Sequence, residues 1–445
     1  MIRSLHFLFF TMGLFYLSCQ PAFGQDLVFH TLEEVLFFAK ENSPEQRIRA
    51  LEREKEGIAS RMSRTELLPA FRAYGTWDNY LQLPVQLLPS EAVGGEPGTF
   101  TEIRFGTQYQ INLGVEASLP LFDPELWSRI KSDRLRYQMG LQELSSKEQA
   151  WTEEIARMYF QVLLHEESLR LAEARYQLSD SIFQLAEFTF QAGEMEPLPF
   201  QRIKASALSA QHAFIRQQKQ RDLAKSSLTT LIGAGNQPVG LSEKIQSLAT
   251  KEEFSSYELN SLPSWRREEL ALALSQQAWK QSRASYWPKL TANGRFYQQT
   301  LGNNFNLSDA SSFEVGVWGL SLNWTIFQGN QKRLKTKTAY LDWQIAKERQ
   351  LHTQQILVEE QNQLDIELRQ NQQLVNDFAP LQVLYEENYR LAGIQWAEGQ
   401  ISTDELLQVE KEWIEQQQEY LIALSDLFTS KALQAIRNQS YTETP

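Results

Sequence analysis

Gly114-Val115-Glu116-Ala117-Ser118-Leu119-Pro120-Leu121-Phe122 and Gly319-Leu320-Ser321-Leu322-Asn323-Trp324-Thr325-Ile326-Phe327 follow one pattern at two places in the chain. In both, apolar side chains alternate with small or polar ones, the period of a strand with a single apolar face. Going backward, the first stretch continues with Tyr109, Ile111 and Leu113 on the apolar side and Gln110 and Asn112 between them. In the second, Phe313, Val315 and Val317 are out of phase by one residue with Trp318, Leu320 and Leu322, which predicts a bulge near Val317. The strands are expected at about 108–121 and 313–326, each preceded by a less regular partner at about 68–81 and 288–300.

The recurrence extends further. Leu67-Leu68-Pro69-Ala70-Phe71 reads like Tyr286-Trp287-Pro288-Lys289-Leu290, and the surroundings of Gly193 recur at Gly399. One insertion separates the copies, a Pro/Gly-rich stretch between Tyr80 and Phe105 with loop composition. The chain therefore reads as a tandem duplication: a first repeat at 25–233, a connector at 234–262, a second repeat at 263–437 and a tail at 438–445. Each copy has the order helix, strand, loop, strand, very long helix, tip, helix. Glu125–Ala192 contains no proline and Gln331–Glu398 contains only Pro380, where a kink is expected. At about 1.5 Å per residue each makes a rod of roughly 100 Å. Ile155, Met158, Tyr159, Val162, Leu163 and Leu169 give the first rod an apolar stripe. Returning helices are expected at Phe200–Leu231 and Thr403–Arg437, opening helices at Thr31–Glu66 and Ser264–Tyr286, and tips near 191–199 and 397–403.

Residues 1–24 read as a secretory signal peptide: Arg3, the apolar Leu5–Leu17, then Ala22-Phe23-Gly24 for cleavage after Gly24. Cys19 is the only cysteine; it is either removed with the leader or lipidated, and Tyr16 fits a lipoprotein signal poorly. No later run is long and apolar enough for a membrane helix. With 445 residues, 42% apolar, and a net charge of −12, the chain can bury a core and is no basic nucleic-acid binder.

Strands with an apolar outer face in lipid cannot leave open edges, because each unpaired backbone group there costs several kcal/mol. The smallest membrane barrels have about eight strands. Four per chain are too few, so several chains must share one barrel: two would supply eight strands, three would supply twelve. Trp77, Tyr80, Phe105, Tyr109, Trp318 and Trp324 fall at strand ends or on outer faces, as the aromatic girdles of such a barrel do. The rods likewise need similar helices to lie against. The fold class is an α+β membrane protein of long helical hairpins plus four strands.

On these residues the chain resembles the TolC family of outer-membrane efflux and secretion channels (outer membrane efflux proteins). The likeness is carried by Leu32-Glu33-Glu34-Val35 with Ala39, Asn42 and Pro44, by the helix–barrel junctions at Pro69, Pro120, Pro288 and Gly329, and by tips Phe190-Gln191-Ala192-Gly193 and Trp396-Ala397-Glu398-Gly399. The resemblance implies a homotrimer with a shared 12-stranded barrel in the outer membrane, in contact with its lipid, and a helical tunnel in the periplasm. It further implies a periplasmic adaptor (membrane fusion) protein and an inner-membrane pump of the RND or ABC type. Glu405 matches a position that often carries an acid at the tunnel entrance, and Asp404 adjoins it. Such acids form a negative ring, or are solvated charges at a helix start capped by Ser402 or Thr403. Where some members lock the entrance with a tyrosine and an arginine, this chain has Trp396 and Ile401; Pro197 and Pro199 flank Leu198 in the first tip.

No catalytic chemistry stands out, and no cofactor, metal or nucleic acid is expected. His165-Glu166 lacks the second histidine of a zinc-protease motif, leaving His165 as a helix-surface residue, and Gly233-Ala234-Gly235 reads as a helix end. The competing reading is a secreted or lipid-anchored coiled-coil scaffold without a pore, which leaves the alternating strands unexplained.

Overall fold

The computed structural model describes residues 27–94, 96–248, 258–304 and 310–439. The leader, Cys19 and most of the tail lie outside them. In chain order the elements are β1 (Leu27–Phe29), α1 (Leu32–Asn42), α2 (Pro44–Thr65), β2 (Ala70–Asn79), β3 (Val85–Pro89), β4 (Phe100–Arg104), β5 (Tyr109–Phe122) and α3 (Pro124–Gln191). Then come α4 (Pro197–Ile232), β6 (Val239–Leu241), α5 (Pro263–Ala284), β7 (Lys289–Gly302), β8 (Ser311–Asn323), α6 (Gln331–Ala397) and α7 (Thr403–Gln439).

The opening helix, expected as one, is two. Ser43 is extended (φ −66°, ψ 132°) because the following Pro44 disfavours helical backbone before it, and Pro44 then starts α2. The stretch between Tyr80 and Phe105, expected as loop, contains the β3–β4 hairpin. The connector contributes β6, which pairs in parallel with β1. The rods agree with the sequence: α3 has 68 residues, and α6 has 67 and continues through Pro380.

Two compact units divide the chain. One comprises Arg47–Glu153, Glu253–Arg369 and Ser430–Pro445. It holds an antiparallel sheet in the order β2-β5-β7-β8. Register puts Phe71, Ala117, Gly294 and Trp318 in one row, and Ala73, Val115, Phe296 and Gly316 in the next on the same face. The opposite face carries Arg72, Glu116 and Arg295 in one row, and Thr76, Asn112 and Gln299 in another. There Asn112 Nδ2 donates to Thr76 Oγ1 at 3.1 Å and Gln299 Nε2 donates to Asn112 Oδ1 at 3.3 Å. The apolar face is uncovered in the single chain: Trp318 is 85% exposed.

The bulge expected near Val317 is absent. β7 and β8 pair without interruption from Lys289–Asn323 to Leu301–Ser311. Phe313, Val315 and Val317 instead keep phase and fall on the polar face, so the break in alternation changes composition and leaves register intact. The register shift of this sheet lies between Pro120 and Phe122, where β5 has passed the end of β2.

The other unit comprises Met1–Gln46, Glu154–Glu252 and Gln370–Thr429. Its core is the stripe read from the sequence: Ile155, Tyr159, Val162 and Leu163 are buried together with Leu228, Leu421, Leu424 and Leu427. Phe160 stacks on Phe428 with centroids 6.2 Å apart. His165, expected on the surface, is half-buried on α3, and burial lowers its pKa.

Candidate functional site

The two tips are built alike. α3 ends with Gly193 at φ 78°, whose N–H bonds the Phe190 carbonyl at 3.0 Å; α6 ends with Gly399 at φ 72°, bonding the Trp396 carbonyl at 3.0 Å. A left-handed residue lets the chain leave a helix while satisfying its last carbonyls, and glycine adopts it without steric cost. Pro197 then begins α4 and Pro199 sits in its first turn. Neither position requires an N–H, so both prolines are tolerated.

The tips are tied by aromatic packing. Phe200 stacks on Phe190 at 4.4 Å, within a cluster with Ala186 and Ile203. Trp396 packs against that cluster and also against the one formed by Tyr389, Ala392, Leu406 and Trp413, where Ile401 joins it. Its indole Nε1 donates to Thr403 Oγ1 at 3.2 Å.

The acids at the start of α7 sit in three environments. Glu405 closes a capping box: Ser402 Oγ accepts from the Glu405 N–H at 3.2 Å, and Glu405 Oε2 accepts from the Ser402 N–H at 2.8 Å. Asp404 is exposed and ion-paired with Arg202 of α4. Glu410, two turns in, is buried: it accepts from Arg175 Nε at 3.0 Å, Ser179 Oγ at 3.2 Å and Ser206 Oγ at 2.9 Å. Burial and the nearby Glu410 charge together push the Tyr389 phenol pKa up.

Arg202 and the Glu410 cluster were not singled out from sequence. The signal for Glu410 was present. Leu406, Glu410, Trp413, Gln417 and Leu421 form one stripe at three- and four-residue steps, with two polar members at core positions. Arg202 gave none, since its partner lies 202 residues away.

At the sheet end, Pro69 and Pro288 precede β2 and β7, and Pro120 lies within β5 at its irregular end. Gly329 (φ 52°) and Asn330 (φ 65°) turn the chain into α6. Lys332 Nζ fixes this corner by donating to the Ser285 carbonyl at 2.9 Å and the Thr325 carbonyl at 2.8 Å. Trp324 Nε1 donates to the Tyr286 carbonyl at 3.1 Å. On β2 and β5, Trp77 stacks on Tyr109 at 6.2 Å. Among the described residues no group of His, Cys, Asp and Glu could hold a metal, and no helix is long and apolar enough to cross a membrane.

Residues 45–234 match the model of the outer membrane efflux protein family. No curated protein sequence matches the chain. Among solved structures, the outer membrane protein VceC of Vibrio cholerae superposes with a TM-score of 0.71 at 15% identity, over 92% of this chain and 96% of that one. The open state of the Neisseria gonorrhoeae MtrE outer membrane channel gives 0.70 at 18%, over 92% and 89%. The Campylobacter jejuni CmeC outer membrane channel gives 0.71 at 13%, over 93% and 87%. At these identities the structures establish a shared fold.

Proposed function

We propose that this chain, whose residues 45–234 match the outer membrane efflux protein model, is a member of that family and the passive exit duct of a tripartite efflux or type I secretion system. Three copies would share a 12-stranded barrel in the outer membrane, and their hairpins would form a periplasmic tunnel. A periplasmic adaptor would dock toward the tips, and an inner-membrane RND or ABC-type pump would supply the energy. The leader at 1–24 would direct export.

One observation carries this reading: a four-stranded sheet with one exposed apolar face and both outer strands, β2 and β8, unpaired on their outer edges among the described residues. A sheet of this kind is stable in lipid only when its edges are closed, and closure requires further copies. A pore-free scaffold accounts for the rods and gives this sheet no role. The duplicated order of elements supports the same reading, since each repeat supplies two strands and one hairpin. The tips are the candidate entrance, with Trp396 joining them and Asp404 and Glu405 as candidates for a ring of carboxylates.

The test is planar-bilayer recording on protein extracted from outer membranes, with subunit number counted by native mass spectrometry. Discrete conductance steps from a particle of three chains are expected. A water-soluble single chain that never raises conductance would refute the duct.

A further inference from the structure

The first two turns of α6 carry Lys332, Arg333, Lys335 and Lys337, and no acid follows until Asp342. A helix start disfavours cations, because the macrodipole is positive there. Only Lys332 is occupied by the chain itself, on the two carbonyls already described. Arg333, Lys335 and Lys337 are exposed, and among the described residues none of them is ion-paired. Beside Lys332 and Lys335 opens a cavity of about 480 Å³, lined also by Lys289, with Glu125 as its one carboxylate. Glu125 is committed to Lys289 at 2.8 Å. Immediately ahead in sequence, Ile326 and Phe327 are 80% and 79% exposed, and Trp287 is exposed too.

We propose that this corner is a binding site for an anionic phospholipid. Its acyl chains lie along Trp287, Ile326 and Phe327, its phosphate is held by Lys335 at the cavity, and Arg333 and Lys337, around the helix from Lys335, add to the positive field. The assignment rests on the membrane-barrel reading above. Charge complementarity and the adjacent apolar belt identify the occupant: cations alone would take any anion, whereas cations bordering exposed Phe and Ile match a headgroup joined to hydrocarbon. Closing the barrel strengthens the site. Joining β8 to the β2 of another copy brings the end of that copy's α2 to the start of α6. That end carries exposed Arg61 and Arg64, while its Glu66 is already engaged by Arg129. Assembly therefore adds cations here.

The experiment uses the full assembly in neutral detergent, doped with dioleoylphosphatidylglycerol or dioleoylphosphatidylcholine, with retained lipid counted by native mass spectrometry. The wild type should prefer phosphatidylglycerol. The variant R333Q/K335Q/K337Q should lose about fivefold of that preference per cation, on the order of 100-fold in all. The variant K204Q/R216Q/K219Q, altered at exposed cations of α4, should keep it. An unchanged preference in the first variant, equal retention of both lipids by the wild type, or equal loss of both lipids in the variant would each overturn the site. Displacement of phosphatidylglycerol by millimolar inorganic phosphate would reassign it to free anions. The same preparations are tested for conductance: loss of lipid preference with conductance retained overturns this site alone, whereas absence of conductance removes the premise.

Discussion

Replacing Glu410 with leucine should loosen the hairpins of its unit far more than replacing Glu410 and Arg175 together. Glu410 and Arg175 have side chains only 6% and 17% exposed, so their attraction is little screened. In the single variant, three donors lose their acceptor. Ser179 and Ser206 can turn their hydroxyls to the carbonyls one helical turn back at little cost. Arg175 has no such alternative. Leaving one member of a buried pair costs about 3–5 kcal/mol, and the cavity beside Arg175 and Glu410 favours the lower end. At about 1.4 kcal/mol per tenfold, 3 kcal/mol is a roughly 150-fold rise in local opening. Amide hydrogen exchange of the peptides covering 170–185 and 403–417 reads it directly, without requiring two-state unfolding of the assembly. The double Leu variant should exchange within about fivefold of the wild type, because two apolar side chains replace the pair without stranding a charge. Single and double variants exchanging alike, or a single variant within a factor of three of the wild type, would show that the pair is not the buried unit described.

Three further outcomes are expected. Gly114 lies between Tyr74 and Tyr297, whose rings meet across it at 6.5 Å, and a Cβ there would stand 2.3 Å from the Tyr297 Cβ. Gly114→Ala should therefore cost about 1–3 kcal/mol by overpacking and reduce the yield of heat-resistant assembly on gels; Gly319→Ala, with open space around it, should not. For Glu167, burial tends to raise the pKa, but hydrogen bonds from Arg170 and Gln246 and the charges of Arg170 and Lys244 outweigh it and hold the carboxyl below its ordinary 4.5. Its folded value thus lies below the unfolded one, so its contribution is complete above 4.5 and is lost as pH falls through the folded value. Melting followed from pH 7 to 3 should show a smaller acid-induced loss in Arg170→Gln than in the wild type. Glu405→Gln keeps the capping box and removes the charge. If the carboxylates form an entrance ring, single-channel cation preference falls while melting is unchanged; Glu405→Ala should also lose about 1 kcal/mol of stability.

The parts of the fold visible in sequence are those set by local periodicity. Period-two stretches give β5 and β8, with the less regular β2 and β7 placed by the repeat, and long runs with no proline or one give α3 and α6 nearly to the residue. The misreadings have physical causes. Ser43 was read through because α1 and α2 share an amphipathic pattern, and the backbone restriction imposed by Pro44 outweighs it. Phe313, Val315 and Val317 suggest a bulge only if every apolar residue of the strand shares one face, and the uninterrupted β7–β8 register puts them on the other. The β3–β4 hairpin was hidden by the turn-forming residues around it. At the candidate site, Gly193, Gly399, Pro197 and the cap at Ser402 were legible because they answer to local backbone chemistry. Arg202 with Asp404 and Arg175 with Glu410 were not, because partners hundreds of residues apart are brought together only by the packing of whole hairpins.

The bare outer ribs of the β2-β5-β7-β8 sheet also bear on inheritance. If copies join edge to edge as proposed, a polypeptide unfinished on both flanks cannot work alone, and one damaged copy would spoil every ring that admits it. Lesions on the outward sides of β2 or β8 would then act dominantly when co-expressed with intact protein, while lesions that stop the chain from folding at all would stay recessive.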